Sequence, residues 1–319
     1  MNIGIQALGS LRVVDPARKP EETEKQLRAD YTAIKEAGFD AIDFGLECFL
    51  DSRSLSDRSV PCFFDRPMEE LEEYFLPYRE LCAESGLEIS QTHAPFEKCV
   101  EEGERREHYF GVIEKAIRLT GFLKVPYCVV HPIIMRRLYG PEKEWKDNTA
   151  MFKRLVPVAK ESGVMICLEN MFDRNPRDVD ETVCSGADEA VRYLDELNDF
   201  AGEERFGFCF DLGHAALMRR SPRDYIKALG GRLKILHLHD NDGTHDFHAL
   251  PFTFVAAWGG PYVINWDGLI EGLSSVGYDG TLSFEAGPGI LALPEPLKQA
   301  GRVFTAECGK YIIKQLREV

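Results

Sequence analysis

The stretch KILHLHDNDGTHDFHAL, residues 234 to 250, holds four histidines, His237, His239, His245 and His248, and three aspartates, Asp240, Asp242 and Asp246. Imidazoles and carboxylates gathered this densely either ligate divalent cations or move protons. The competing use is a polar surface loop. Groups of the same kind recur singly at the ends of short apolar runs: His93, His131, Glu169, Asp211 and Glu285. His214 follows Asp211 by three residues, and Asp246 and His248 form a D-x-H. A lone histidine at a strand end is usually packed or capping, and a lone buried glutamate usually has an arginine partner. His93, His131, Glu169, Asp211, His237 and Glu285, brought together in low dielectric, would repel and shift one another, and bound cations relieve that conflict. DNDG within the stretch lacks the spacing and downstream glutamate of a calcium loop and reads as a turn that takes His245 with it.

The elements that must position these groups alternate along the chain. NIGIQAL, AIDFG, LEISQTH, PYCVVHP, VMICLEN, FGFCFDLGH, LKILHLH and TLSFEAG read as strands, and a helical pattern follows each. Eight strand-helix units imply parallel pairing with right-handed crossovers, and in a chain of 319 residues they predict an α/β fold, one (β/α)8 TIM barrel spanning residues 1–319. A doubly wound sheet would carry a Gly-rich turn after its first strand, and QALGSLRVVD has no GxGxxG. Side chains alternate along a strand. Phe206, Phe208 and Phe210 therefore oppose Asp211, Ile166 and Leu168 oppose Glu169, and Leu282 and Phe284 oppose Glu285. The bulky faces belong against the helices, and the acids and imidazoles point into the barrel at its C-terminal mouth, where such barrels keep their sites.

The net charge of −15 disfavours a nucleic-acid partner, which calls for a positive footprint. The longer apolar runs are broken by Pro, Gly or His, so no membrane span is expected. The N-terminus lacks a basic region ahead of its short apolar run and reads as a first strand, not a signal peptide. Nine cysteines are spread singly with no CxxC, which suggests reduced thiols in a cytoplasmic protein.

THAPF, VVHP, CLEN, CFDLGH, LHLHDND, HDFH, INW and SFEAG, in that order, resemble the motifs of the xylose-isomerase-like TIM barrels, a superfamily of sugar isomerases and epimerases that also contains the type IV apurinic endonucleases. The resemblance covers essentially the whole chain. It implies a metal site of Glu169, Asp211, His237 and Glu285, of the kind that takes manganese, cobalt or magnesium. It implies a second position at His93 and His131 with Glu169 bridging, and a third at His214, Asp246 and His248. One to three divalent ions per chain are expected, zinc included. One segment departs from the pattern: a short Gly-rich turn usually follows the D-x-H, and here LPFTFVAAWGGPYVINW stands in its place.

These residues point first to a metal-dependent isomerase or epimerase of a ketose or sugar phosphate. It would remove a proton next to a carbonyl held by the metal, with Glu169 and Glu285 as the acid/base pair and His214 orienting a substrate hydroxyl. Trp258, in the aromatic segment, is expected in a substrate cover or a subunit contact, which leaves a homo-oligomer open. GPG at Gly287 to Gly289 stands where barrels often hold phosphate. The alternatives are a trinuclear-zinc phosphodiesterase acting at abasic DNA, for which Arg136–Arg137 and Arg219–Arg220 stand on the correct face, and an inosose-type dehydratase, which begins with the same proton abstraction.

Overall fold

The computed structural model describes residues 1–6, 20–51, 53–98, 102–175, 178–257 and 260–318. Eight strands form one parallel sheet: β1 (Ile3–Gln6), β2 (Ala41–Gly45), β3 (Glu88–His93), β4 (Tyr127–Val129), β5 (Met165–Glu169), β8 (Phe206–Asp211), β9 (Leu233–His237) and β10 (Leu282–Phe284). Neighbours follow chain order, with β10 pairing back onto β1. The remaining seam, between β9 and β10, is closed by a parallel bridge from Leu238 to Phe284, with the Leu238 amide donating to the Ser283 carbonyl and the Glu285 amide to the Leu238 carbonyl. Helices lie between successive strands, the longest being Pro141–Ser162 and Lys298–Glu318. The expected barrel is the fold. An addition that periodicity did not reveal is a small antiparallel hairpin, β6 (Phe172–Arg174) with β7 (Val179–Glu181), in the connection after β5.

The strand alternation sorts the core as the sequence implied. Phe206, Phe208, Phe210, Ile166, Leu168, Leu282 and Phe284 are buried in the large cluster between sheet and helices. Val129, Cys167, Cys209 and Ile235 form a separate inner cluster. Each stands two residues before His131, Glu169, Asp211 or His237, so a period of two carries the polar residue to the same face one step nearer the mouth. The barrel is thus plugged with apolar side chains below and ringed with ligating groups above. Seven of the eight described cysteines are buried, two of them within that plug. Among the described residues no helix is long and apolar enough to cross a membrane.

Candidate metal centre

His93 ends β3 and His131 lies two residues beyond β4. Glu169, Asp211 and His237 end β5, β8 and β9, and Glu285 follows β10. The parallel register sets Asp211 beside His237. His237 is fully buried, and its Nδ1 lies 3.3 Å from Glu169 Oε1 and 3.6 Å from Glu285 Oε1. His131 Nε2 is 2.9 Å from Glu169 Oε2 and 2.9 Å from His93 Nε2. His248 Nε2 is 3.1 Å and His214 Nε2 3.6 Å from Asp246 Oδ2. All nine ligand candidates therefore lie at one end of the barrel and, Glu285 aside, they fall in groups that could hold a metal ion.

The histidines are oriented for ligation. His93, His214 and His248 each place Nδ1 about a hydrogen bond from a main-chain oxygen, that of Ala94 at 3.0 Å, Asn170 at 2.9 Å and Glu285 at 3.0 Å. Donation there fixes the ring so that Nε2, once it gives up its proton, is free to ligate. His237 is turned the other way: its Nε2 is 3.2 Å from Asp43 Oδ2, and Asp43 also accepts from Gln91 Nε2 at 2.9 Å. Asp43 is a fully buried carboxylate that the sequence reading passed over.

The donor set also fits cations by what it leaves unsatisfied. Among the described residues, Glu169 Oε2 is buried without a hydrogen-bond partner although His131 Nε2 is so near, and Asp246 Oδ1 is likewise orphaned. Buried polar atoms are rarely left so. Burial lowers His131 to about 4. Against burial, Glu47 and Glu169 raise His93 to about 9, and Asp246 and Glu285 raise His248 to about 9. Burial likewise opposes the ionisation of Asp246, yet His214 and His248 hold it far below the usual carboxylate range. Burial raises Glu285, whereas His237 and His131 overcome burial to lower Glu169.

A cavity of about 340 Å³ opens above this ring, floored by Glu169, Glu285, His93, His131, His214 and His248. Its apolar walls are Phe96, which lies 4.3 Å from the His131 ring, and Phe172 of the hairpin, 4.9 Å from the His214 ring. Neither was expected from the sequence. Gln6 donates to Glu285 Oε1 at 3.0 Å, and Glu47 offers a further carboxylate that burial raises to about 7.

Several expectations are corrected. The described aromatics of the segment from Leu250 to Trp266 do not cover the cavity: Phe252 packs 4.5 Å from Trp266, 5.4 Å from Tyr262 and 5.9 Å from Tyr311 of the last helix. Trp266 is buried and Phe252 half-buried, while Tyr262 and Tyr311 stay half exposed, so this packing removes part of the apolar surface from water without needing a ligand. Trp258 lies outside the described residues. Gly289 does not offer its amide to a phosphate, because it donates to the His248 carbonyl at 3.1 Å. A side chain there would press within 3.0–3.2 Å of the Leu250, His248 and Ala249 backbone, so the glycine lets the His248 turn sit against the helix Gly287–Leu291. Arg136 is paired with Glu144 and Glu189, Arg137 with Asp173, and Arg220 with Glu181, which leaves those charges already balanced within the chain. His245 sits in the Asp242 turn as expected, 2.9 Å from Asp242 Oδ2.

Known proteins resemble this chain to different extents. An uncharacterized protein of Methanocaldococcus jannaschii, MJ1311, is 29% identical over 54% of this chain and 55% of its own length. An inosose isomerase of Halalkalibacterium halodurans is 27% identical over 51% of the chain and 54% of its own. The chain thus spans about half the length of these two curated relatives. The crystal structure of a D-tagatose 3-epimerase-like protein superimposes with a TM-score of 0.67 over 100% of this chain and 99% of that one, at 21% identity. Residues 31–306 match the model of one family, and that span takes in every ligand candidate named above. The chain belongs to the xylose isomerase-like TIM barrel family.

Proposed function

We propose that this protein is a metal-dependent isomerase or epimerase of a ketose or a related sugar, free or phosphorylated. The observation that carries the reading is the pair Glu169 and Glu285, which stand at the ends of different strands with Oε1 atoms 3.3 and 3.6 Å from His237 Nδ1, at the floor of a small cavity. A divalent cation held by Glu169, Asp211, His237 and Glu285 would supply Lewis-acid polarisation of a carbonyl and its neighbouring hydroxyl. One glutamate takes the proton from the carbon beside the carbonyl. The other returns a proton to that carbon from the opposite face, giving the epimer, or to the adjacent carbon, giving the isomer. Gln6 restrains Glu285 through Oε1. Phe96 and Phe172 supply apolar faces that stack on a sugar ring and keep water from the carbanion. The volume lies at the small-molecule end of binding sites, which run from roughly 300 to 1,000 Å³.

The likeness to proteins named inosose isomerase and D-tagatose 3-epimerase-like supports the same reading. Hydrolysis of abasic DNA is less well supported, because Arg136, Arg137 and Arg220 are committed to internal ion pairs and the net charge is −15. The test offers ketopentoses, ketohexoses, their phosphates, an inosose and abasic-site DNA to protein loaded with manganese, cobalt or zinc. Formation of an epimer or isomer is expected. Cleavage of DNA with no turnover of any sugar would overturn the proposal.

A further inference from the structure

The phosphate position expected at Gly287 to Gly289 is taken up within the chain, since the Gly289 amide donates to the His248 carbonyl. The cavity offers another. Of the described residues that line it, two are lysine or arginine, Lys98 and Arg174. Both are exposed, whereas Glu169, Glu285, His93 and His214 are buried, so the two cations stand at the open edge. Arg174 lies on β6 two residues from Phe172, which puts both side chains on one face, about 7 Å apart along the strand. The Phe172 ring is 4.9 Å from that of His214. The Arg174 guanidinium donates to the carbonyl of Thr244, in the loop that carries Asp246 and His248, and no carboxylate among the described residues pairs with it. Lys98 meets Asp173, but Asp173 already accepts from Arg137 Nε at 3.1 Å. One carboxylate thus faces two cations. Glu97 also lines the cavity, and the cation that acts on it is Arg105. Lys98 and Arg174 therefore bring positive charge that no described carboxylate balances, in a chain of net charge −15.

We infer that the substrate carries a phosphate group, and that Arg174 and Lys98 bind it at the open edge of the cavity while the carbonyl end reaches the floor. The inference rests on the proposed function and narrows it from sugars, free or phosphorylated, to phosphate esters. A phosphate monoester carries a charge of about −1.5 to −2 near pH 7 and three acceptor oxygens. That matches two unbalanced cations, whereas a carboxylate would neutralise only one. The guanidinium N–H groups not used on Thr244 can meet two phosphate oxygens side by side, and the lysine ammonium adds a point charge. Phe172, with its ring beside the floor and Arg174 further along the same face, lies against the sugar carbons between the two ends. The phosphate therefore sits at the end of the substrate away from the carbonyl. Binding energy from such a remote group holds the reacting carbon in place. Two cations at one edge serve a single phosphate, and a DNA duplex needs a longer track of them.

The test titrates metal-loaded protein with a pentitol, its terminal phosphate and the aldonate of the same length, none of which has a ketone to react, and calorimetry reads the affinities. The phosphate should bind about 10²-fold or more tighter than the pentitol, since each hydrogen bond to a charged group is worth about 10–150-fold. Raising the salt should shrink that advantage. Arg174→Met should lose about 10–150-fold of it and Lys98→Met about tenfold. Arg174→Lys should keep part, because the charge remains and the paired contact does not. Circular dichroism establishes that each variant is folded, and Lys98→Met and Arg174→Lys carry the test if Arg174→Met is not. A wild type that binds the phosphate no tighter than the pentitol would overturn the inference. So would a preference that survives in both Arg174→Met and Lys98→Met, which would put the phosphate on the metal ions, or an aldonate that binds as tightly as the phosphate. None of these outcomes touches the isomerase reading, since a free ketose would then be the substrate. Absence of turnover with every ketose and ketose phosphate would instead overturn that reading, and the phosphate preference would still be measured.

Discussion

Replacing Asp43 by Asn tests whether the barrel interior tunes the metal site from beneath. Asp43 is fully buried on β2, 3.2 Å from His237 Nε2 and 2.9 Å from Gln91 Nε2, and its Oδ1 has no hydrogen-bond partner among the described residues. A carboxylate behind a ligating imidazole fixes the ring and makes its other nitrogen a stronger donor. Asparagine keeps the volume and an acceptor oxygen and removes the charge. Loss of such a partner costs about 10–100-fold in metal affinity, which is about 1.4–2.8 kcal/mol at about 1.4 kcal/mol per tenfold. The packing cost is small because the shapes match, so the Asp43→Asn protein should fold and melt close to wild type when both are stripped of metal. Competition against a chromogenic chelator, with manganese and with zinc, measures the affinity. The reasoning fails if the variant binds within twofold of wild type, because Asp43 would then be a buried charge with no influence on His237.

Glu169→Gln and Glu285→Gln should each lower turnover by about 10²–10⁴-fold, the usual worth of a positioned acid or base; in the metal-free protein Glu285→Gln should hold or raise thermal stability, since burial already raises Glu285, whereas Glu169→Gln should lower it, since His237 and His131 favour the charged Glu169 against its burial, and wild-type proton exchange in either variant would remove that residue from the acid/base pair. Metal uptake should release protons near pH 7, since His93 and His248, at about 9 without metal, must give up their protons to ligate, and affinity should rise with pH and level off above about 9; calorimetry in buffers of different ionisation enthalpy reads the protons, and uptake without release would contradict the assignment. Gly289→Ala should cost about 1–3 kcal/mol through overpacking against the His248 turn, read as a lower denaturant midpoint; an unchanged midpoint would show that the turn yields freely.

Strand alternation made the ring legible. Glu169, Asp211, His237 and Glu285 could be aimed into the barrel because each opposes bulky neighbours on its own strand, and the inner cluster of Val129, Cys167, Cys209 and Ile235 follows the same parity. What escaped was carried by contact across the barrel and by loops. Asp43 meets His237 only because β2 and β9 share one interior; its signal was a single charge inside the apolar run AIDFG. His239, whose Nε2 lies 3.2 Å from Asp211 Oδ2 beside His214, shared parity with His237 in plain view, but the resemblance used one histidine of H-x-H and nothing local distinguished the second. Phe96 and Phe172 sit on connections whose paths have no period to read, and the hairpin bearing Phe172 was hidden in a polar stretch. In the aromatic segment after β9, composition showed that rings needed cover; Trp266 is buried and Phe252 packs on it and on Tyr311 of the last helix, remote in sequence, while Tyr262 stays half exposed.

Solvent deuterium exchange measures the central claim most directly. Protein stripped of metal and then reloaded with manganese, cobalt or zinc is incubated in deuterium oxide with each ketose that it turns over, and the recovered sugar is examined by mass spectrometry and proton NMR. Deuterium should enter at the carbon beside the carbonyl, at a rate that falls to background in the stripped protein and returns with the metal. Turnover with no deuterium at that carbon, or exchange that persists after the metal has been removed, would contradict proton abstraction by Glu169 and Glu285 at a metal centre.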